Sequence, residues 1–96
     1  MEIESIRHKG LRRFFETGSA QGLVGDVLRL RKMLAFIDAA TSLEELRLPP
    51  NFGLHELLGD PRGTWSMTVT RNWRMTFGIN AVGALIDMDL EDYRGT

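Results

Sequence analysis

Hydrophobic positions change their spacing about halfway along the chain, from a helical repeat to a strict alternation. In residues 9–17, Leu11, Phe14 and Phe15 fall at i, i+3 and i+4, and Gly18 stands where the turn should end, which predicts a helix. Residues 23–40 hold the longest periodic stretch. There Val27, Leu30, Leu34 and Ile37 form one stripe, widened by Val24, Met33 and Phe36, with Arg29, Arg31 and Lys32 mostly off it. The short glycine-containing connection between these segments predicts a helical hairpin. Ser42-Leu43-Glu44-Glu45 has capping-box spacing and predicts one more helical turn, after which Pro49-Pro50 sends the chain out extended. Upstream, residues 2–7 suggest a short edge strand, although Ile3 and Ile6 are out of phase for alternation.

From residue 64 the period is two. Trp65, Met67 and Val69 alternate with Ser66, Thr68 and Thr70; Trp73, Met75, Phe77 and Ile79 alternate with Arg74, Thr76 and Gly78. Arg71-Asn72 makes a plausible tight hairpin turn, since asparagine tolerates positive φ. A turn around residues 80–83 leads to a last strand in which Ala84, Ile86, Met88 and Leu90 alternate with Asp87 and Asp89. The expected fold class is α+β: an N-terminal strand and a two-helix hairpin packed on one face of a small antiparallel sheet, the other face open to solvent.

A chain of 96 residues predicts one domain, residues 1–96, with a modest core. The 43% hydrophobic and 26% charged residues are ordinary for a globular protein, and the absence of cysteine removes disulfides and thiolate chemistry. No apolar run is long enough to span a membrane and the acidic start lacks a signal-peptide core, so a cytoplasmic location with no membrane partner is expected. The net charge of −1 does not announce a nucleic-acid binder, but its distribution is uneven. Residues 1–34 carry seven basic against four acidic side chains, and residues 35–61 one against five. A basic first third can face phosphate or simply be solvated. There is no phosphate-binding loop, no paired-histidine metal spacing and no Gly-x-Ser-x-Gly elbow; no metal and no cofactor are expected.

Several fragments in order resemble one family. Arg7-His8-Lys9-Gly10-Leu11 with Phe14-Phe15-Glu16-Thr17-Gly18 is similar to the opening of HigB-type toxins of the RelE/ParE superfamily. Leu54-His55 through Gly59-Asp60 and Gly63-Thr64-Trp65-Ser66 resemble their central motif; Asn72-Trp73-Arg74 with Phe77, and Asp92-Tyr93, resemble their closing strands. The resemblance covers nearly the whole chain. It implies a compact RelE-like fold, a helix-turn-helix antitoxin partner of the HigA kind, operator DNA bound only through that antitoxin, and ribosome-dependent endoribonuclease cleavage of mRNA. Two positions depart from the family pattern. Leu58 stands where a lysine is usual, and Arg94 follows Asp92-Tyr93 where histidine is usual, which implies reduced activity. The alternatives are a weakened homologue serving as an antitoxin-binding co-repressor, or a ParE-like gyrase inhibitor.

RNA supplies its own nucleophile, the 2′-OH, so an enzyme need only align it, move two protons and stabilise phosphoryl charge. Arg74, on the polar side of a central strand, has forked donors suited to two phosphate oxygens; the competing role is an ion pair with Asp87 or Asp89. His55 could exchange protons near neutral pH, or be a structural histidine between leucines. Tyr93 could stack on a base or orient the phosphate, and Asp92 could orient Tyr93 or Arg94. Arg94 cannot act as a base but could neutralise phosphate charge. Arg62 and Arg71 at loop tips could grip the RNA backbone, and Lys9, Arg12 and Arg13 could touch ribosomal RNA. His8 matches no catalytic position and reads as a cap or surface residue.

Overall fold

His8 opens the first helix. In the computed structural model, which describes residues 1–23, 25–58 and 63–92, its Nδ1 accepts from the Leu11 N–H at 3.0 Å at the start of α1 (Lys9–Thr17). Gly18, in the left-handed conformation at φ 80°, closes α1 with its N–H on the Phe14 carbonyl, as its position predicts. Gly10 must stay small: a Cβ there would meet the Gly22 carbonyl oxygen at 2.5 Å. Leu11 and Phe14 face inward, but Phe15 is 37% exposed, a departure from the three-residue face expected.

The second helix, α2 (Val27–Ala39), starts four residues later than periodicity alone places it. Gly25 is at φ 92° and Asp26 is extended, with its carboxylate capping the Arg29 N–H at 3.0 Å, so the helix begins at Val27. Leu30, Met33, Leu34 and Ile37 are buried, whereas Arg31 lies 5.0 Å over the Phe14 ring and ties the two helices together. Ser42 caps the one-turn α3 (Leu43–Leu46), and Glu45 reaches back to the N–H and hydroxyl of Thr41 rather than to Ser42. Pro49 is extended, but Pro50 begins a single 3-10 turn, Pro50–Phe52, instead of extended chain. Proline's fixed φ suits the first position of a helical turn, where its missing N–H is not needed.

Four strands, β1 (His55–Glu56), β2 (Thr64–Thr68), β3 (Trp73–Ile79) and β4 (Leu85–Asp92), form an antiparallel sheet in the order β1-β2-β3-β4. The N-terminal segment lies beside β4 but forms only two isolated parallel bridges, Ile3 to Leu85 and Ile6 to Met88. The interruption between them has a visible cause. Asp87 is at φ 53°, and β4 carries an extra residue opposite the step from Thr76 to Gly78, a β-bulge. The Ser5 hydroxyl serves the displaced Asp87 N–H at 2.8 Å. This bulge breaks the regular alternation expected for the last strand: Leu85 joins Met88 and Leu90 in the core, while Ile86 faces outward against Gly78.

The turn at Arg71-Asn72 closes as a hairpin, with the Trp73 N–H on the Thr70 carbonyl at 3.3 Å. Asn72 does not use positive φ; instead the Val69 and Thr70 N–H groups both bond the Trp73 carbonyl, and the irregularity is taken up in the strand. At the next turn the Asn80 side-chain oxygen accepts from the N–H groups of Val82 and Ala84. Arg29 fastens the first hairpin to α2. Its Nε donates to the Val69 carbonyl and its Nη2 to the carbonyls of Thr68 (3.1 Å) and Asn51 (2.9 Å), and its guanidinium lies 5.6 Å from the Phe52 ring centre. One core cluster joins Leu11, Phe14, Leu30, Met33 and Ile37 of the helices to Met67, Met75, Phe77, Met88 and Leu90 of the sheet. No helix among the described residues is long and apolar enough to cross a membrane.

Candidate active site on the outer face of the sheet

Directly opposed residues in an antiparallel sheet share a face, so the register assigns each strand side chain to one side. His55 pairs with Ser66, Ser66 with Thr76, and Thr76 with Asp89; Thr68 pairs with Arg74, and Arg74 with Glu91. The alternate row, Met67–Met75–Leu90, is buried against the helices. His55 and Arg74 therefore stand on the same, outer face, on strands β1 and β3 with β2 between them.

His55 is exposed, and its Nδ1 lies 2.9 Å from the Gly53 carbonyl oxygen. A carbonyl only accepts, so Nδ1 carries the hydrogen, and Nε2 is left to accept a proton from, or return one to, a partner outside the chain. The local backbone makes this possible. Gly53 is left-handed at φ 56°, and a Cβ there would come within 3.3 Å of the Thr68 hydroxyl oxygen. The half-buried Arg74 turns back over its own hairpin, Nη1 donating to the Thr70 carbonyl at 2.9 Å and lying 3.4–3.5 Å from the carbonyls of Trp73 and Arg71. Because Arg29 holds Thr68 and Val69 immediately before that turn, the support of Arg74 reaches back to α2.

Asp87 and Asp89, the expected ion-pair partners of Arg74, are engaged elsewhere. Asp87 is 3.8 Å from Arg7, and Asp89 Oδ1 accepts from the Leu90 N–H at 2.9 Å. The carboxylate opposite Arg74 is Glu91, which also accepts from the Thr76 hydroxyl at 2.5 Å. Asp92 pairs with Trp73 and so leaves β4 on the side opposite to His55 and Arg74. Arg71 is exposed at the hairpin tip beside the outer face. Lys9, Arg12 and Arg13 are exposed on α1, in the helical layer, and the structure does not bring them to His55 and Arg74. Arg62, Tyr93 and Arg94 lie outside the described residues, and Leu58 is 98% exposed.

The centre of the outer face is not open as expected: Ser66 is 1% and Thr76 3% exposed. Ser66 lies between His55 and Thr76, and Thr76 between Ser66 and Asp89, in one row across the sheet. Sequence reasoning passed over Ser66, Thr76 and Glu91. Their polar phase within the strands was the available signal, but their position beside His55 and Arg74 required the register.

Comparison with known proteins identifies the class and then the family. In fold the chain matches YafQ from E. coli with a TM-score of 0.64, covering 95% of this chain and 91% of that one at 16% identity. The family model for the RelE-like toxin HigB of type II toxin–antitoxin systems matches residues 4–92. The endoribonuclease HigB of Proteus vulgaris is 44% identical over 92 residues, 95% of this chain and 98% of that protein. The chain belongs to the HigB-like family of RelE-like toxins, and membership in a type II toxin–antitoxin system implies an antitoxin partner.

Proposed function

We propose that this chain is an endoribonuclease toxin that cuts mRNA on the ribosome by attack of the RNA 2′-OH on the adjacent phosphorus. The observation that carries this reading is the register, with His55 and Arg74 on one face and His55 Nε2 turned away from its Gly53 anchor. The nucleophile belongs to the substrate, so the reaction needs no metal. In this reading His55 Nε2 exchanges the proton of the 2′-OH or the leaving 5′ oxygen, and Arg74 stabilises the phosphoryl oxygens. Tyr93 stacks on or orients the reacting nucleotide, Asp92 orients the neighbouring C-terminal side chains, and Arg94 adds positive charge without base chemistry. Leu58 and Arg94, in place of the family's lysine and histidine, make this a slower enzyme. Arg62 and Arg71 grip the RNA backbone, and Lys9, Arg12 and Arg13 meet ribosomal RNA from the helical side. The antitoxin is of the helix-turn-helix, HigA-like kind, and operator DNA is bound only through it.

Primer extension on a reporter transcript after induction tests this, with and without a functional start codon. Cuts confined to the translated transcript are expected. A transcript left intact in both cases, or cuts independent of translation, rejects the ribosome-dependent nuclease. DNA breaks with intact mRNA would point instead to gyrase inhibition.

A further inference from the structure

Ser66 stands between the two groups on which the proposed cleavage depends. It lies directly opposite His55 on one side and Thr76 on the other, and the next pair along its own face is Thr68–Arg74. With strands about 4.8 Å apart and same-face neighbours about 6.8 Å apart along a strand, the Cα atoms of His55 and Arg74 are separated by about 12 Å. Ser66 lies between them on the same face of the sheet.

Ser66 is 1% exposed and its Oγ has no hydrogen-bond partner, the only buried side-chain polar atom in that condition among the described residues. Thr76, 3% exposed and adjacent on the same face, shows the contrast, since its hydroxyl donates to Glu91. A hydroxyl removed from water without a partner costs the fold, and alanine would keep the same Cβ without that cost. Within the chain the oxygen meets no partner, and a group from outside the chain would satisfy it.

We propose that Ser66 is a substrate-binding residue whose hydroxyl donates its proton to a phosphate oxygen of RNA seated between His55 and Arg74. The assignment rests on the RNA-cleavage reading above. A phosphate oxygen only accepts and Ser66 can donate, so the pairing is chemically matched. Burial away from water strengthens a hydrogen bond to a charged oxygen. Because Ser66 is 1% exposed, the contact requires the neighbouring His55 side chain to turn aside as RNA binds.

The test uses the full-length chain with ribosomes programmed with a short mRNA, measuring single-turnover cleavage and thermal unfolding of each variant. Ser66→Ala should cleave about 10- to 100-fold more slowly, the loss expected for a hydrogen bond to a charged group. Its melting temperature should equal or exceed that of the parent. Ser66→Cys, with a weaker donor of similar size, should fall between them. Cleavage by Ser66→Ala within twofold of the parent overturns the assignment, as does a loss of rate that comes with a lower melting temperature. Arg74→Ala, run alongside, separates the two readings. If it too cleaves like the parent, the cleavage reading fails with the assignment; if it alone is inactive, only the Ser66 assignment fails.

Discussion

The two faces of this sheet are built from alternate residues of the same strands, yet they have little chemistry in common. The inner face presents Met67, Met75, Phe77, Leu85, Met88 and Leu90, none more than 5% exposed, to the stripes of α1 and α2. The outer face presents His55, Ser66, Thr68, Arg74, Thr76, Asp89 and Glu91. Dispersion and the hydrophobic effect act on one side, hydrogen bonding and charge on the other. A backbone made rigid by the first can hold the second in place, so neighbouring residues along a strand should fail in different ways when mutated.

The largest effects should come from the outer face. His55→Gln should slow cleavage about 10²- to 10⁴-fold, the usual worth of a positioned proton-transfer group, with little change in urea unfolding. If His55→Gln instead shifts the unfolding midpoint and leaves the rate intact, the histidine is structural and the contrast between the faces fails. Next is Met75→Ala, one residue from Arg74 but pointing inward. It should lose about 2–5 kcal/mol of stability in denaturant titrations, while the folded fraction cleaves at nearly the parental rate. A rate loss without a stability loss would show that the faces are not independent.

Arg29→Met sharpens the comparison, because Arg29 acts on both sides. It removes three carbonyl contacts that fasten the hairpin turn and should cost about 1.5–3 kcal/mol. It should also slow cleavage, by less than His55→Gln does, because the turn that holds Arg74 loosens; an unchanged rate would show that Arg74 is supported without it. The smallest effect belongs to Glu45, on α3 rather than on the sheet. Hydrogen bonds from the Thr41 hydroxyl and N–H hold its carboxyl below the usual glutamate range. A carboxyl with a lowered folded pKa contributes stability at neutral pH that is lost as pH falls through that value. Glu45→Gln should therefore flatten the acid side of the stability–pH curve slightly, and an identical acid side in both proteins would remove Glu45 from the account.

Much of the architecture was legible because it depends on local signals. Leu11 and Phe14 mark α1, Gly18 its end and Ser42 the cap of α3, each through interactions spanning four residues or fewer. The misplacements have equally local causes that periodicity cannot register. Leu23 shares the apolar character of α2, but the positive φ of Gly25 and the extended Asp26 start the helix at Val27. In β4 the alternation of Ala84, Ile86, Met88 and Leu90 is genuine in the letters and broken in space by the bulge at Asp87.

The candidate site divides the same way. Its individual residues were nameable in advance: Arg74 from its polar phase between Trp73 and Met75, and His55 from the motif around it. Glu91 was missed because only the register sets it opposite Arg74, whereas Asp92 was named from its likeness to the family's closing motif.

The sequence alone determined α1, the body of α2, the turn of α3, the strands β2 and β3, the hairpin between them and the polar phase of Arg74, because each follows from side-chain periodicity and turn chemistry within a short window. Only the tertiary structure decided that His55, Ser66 and Arg74 share one face, that Glu91 rather than Asp87 or Asp89 stands opposite the arginine, and that one buried hydroxyl is left without a partner. Those facts depend on how strands far apart in the chain are registered against each other. That register is set by the fit of the whole core and the bulge, not by any one segment.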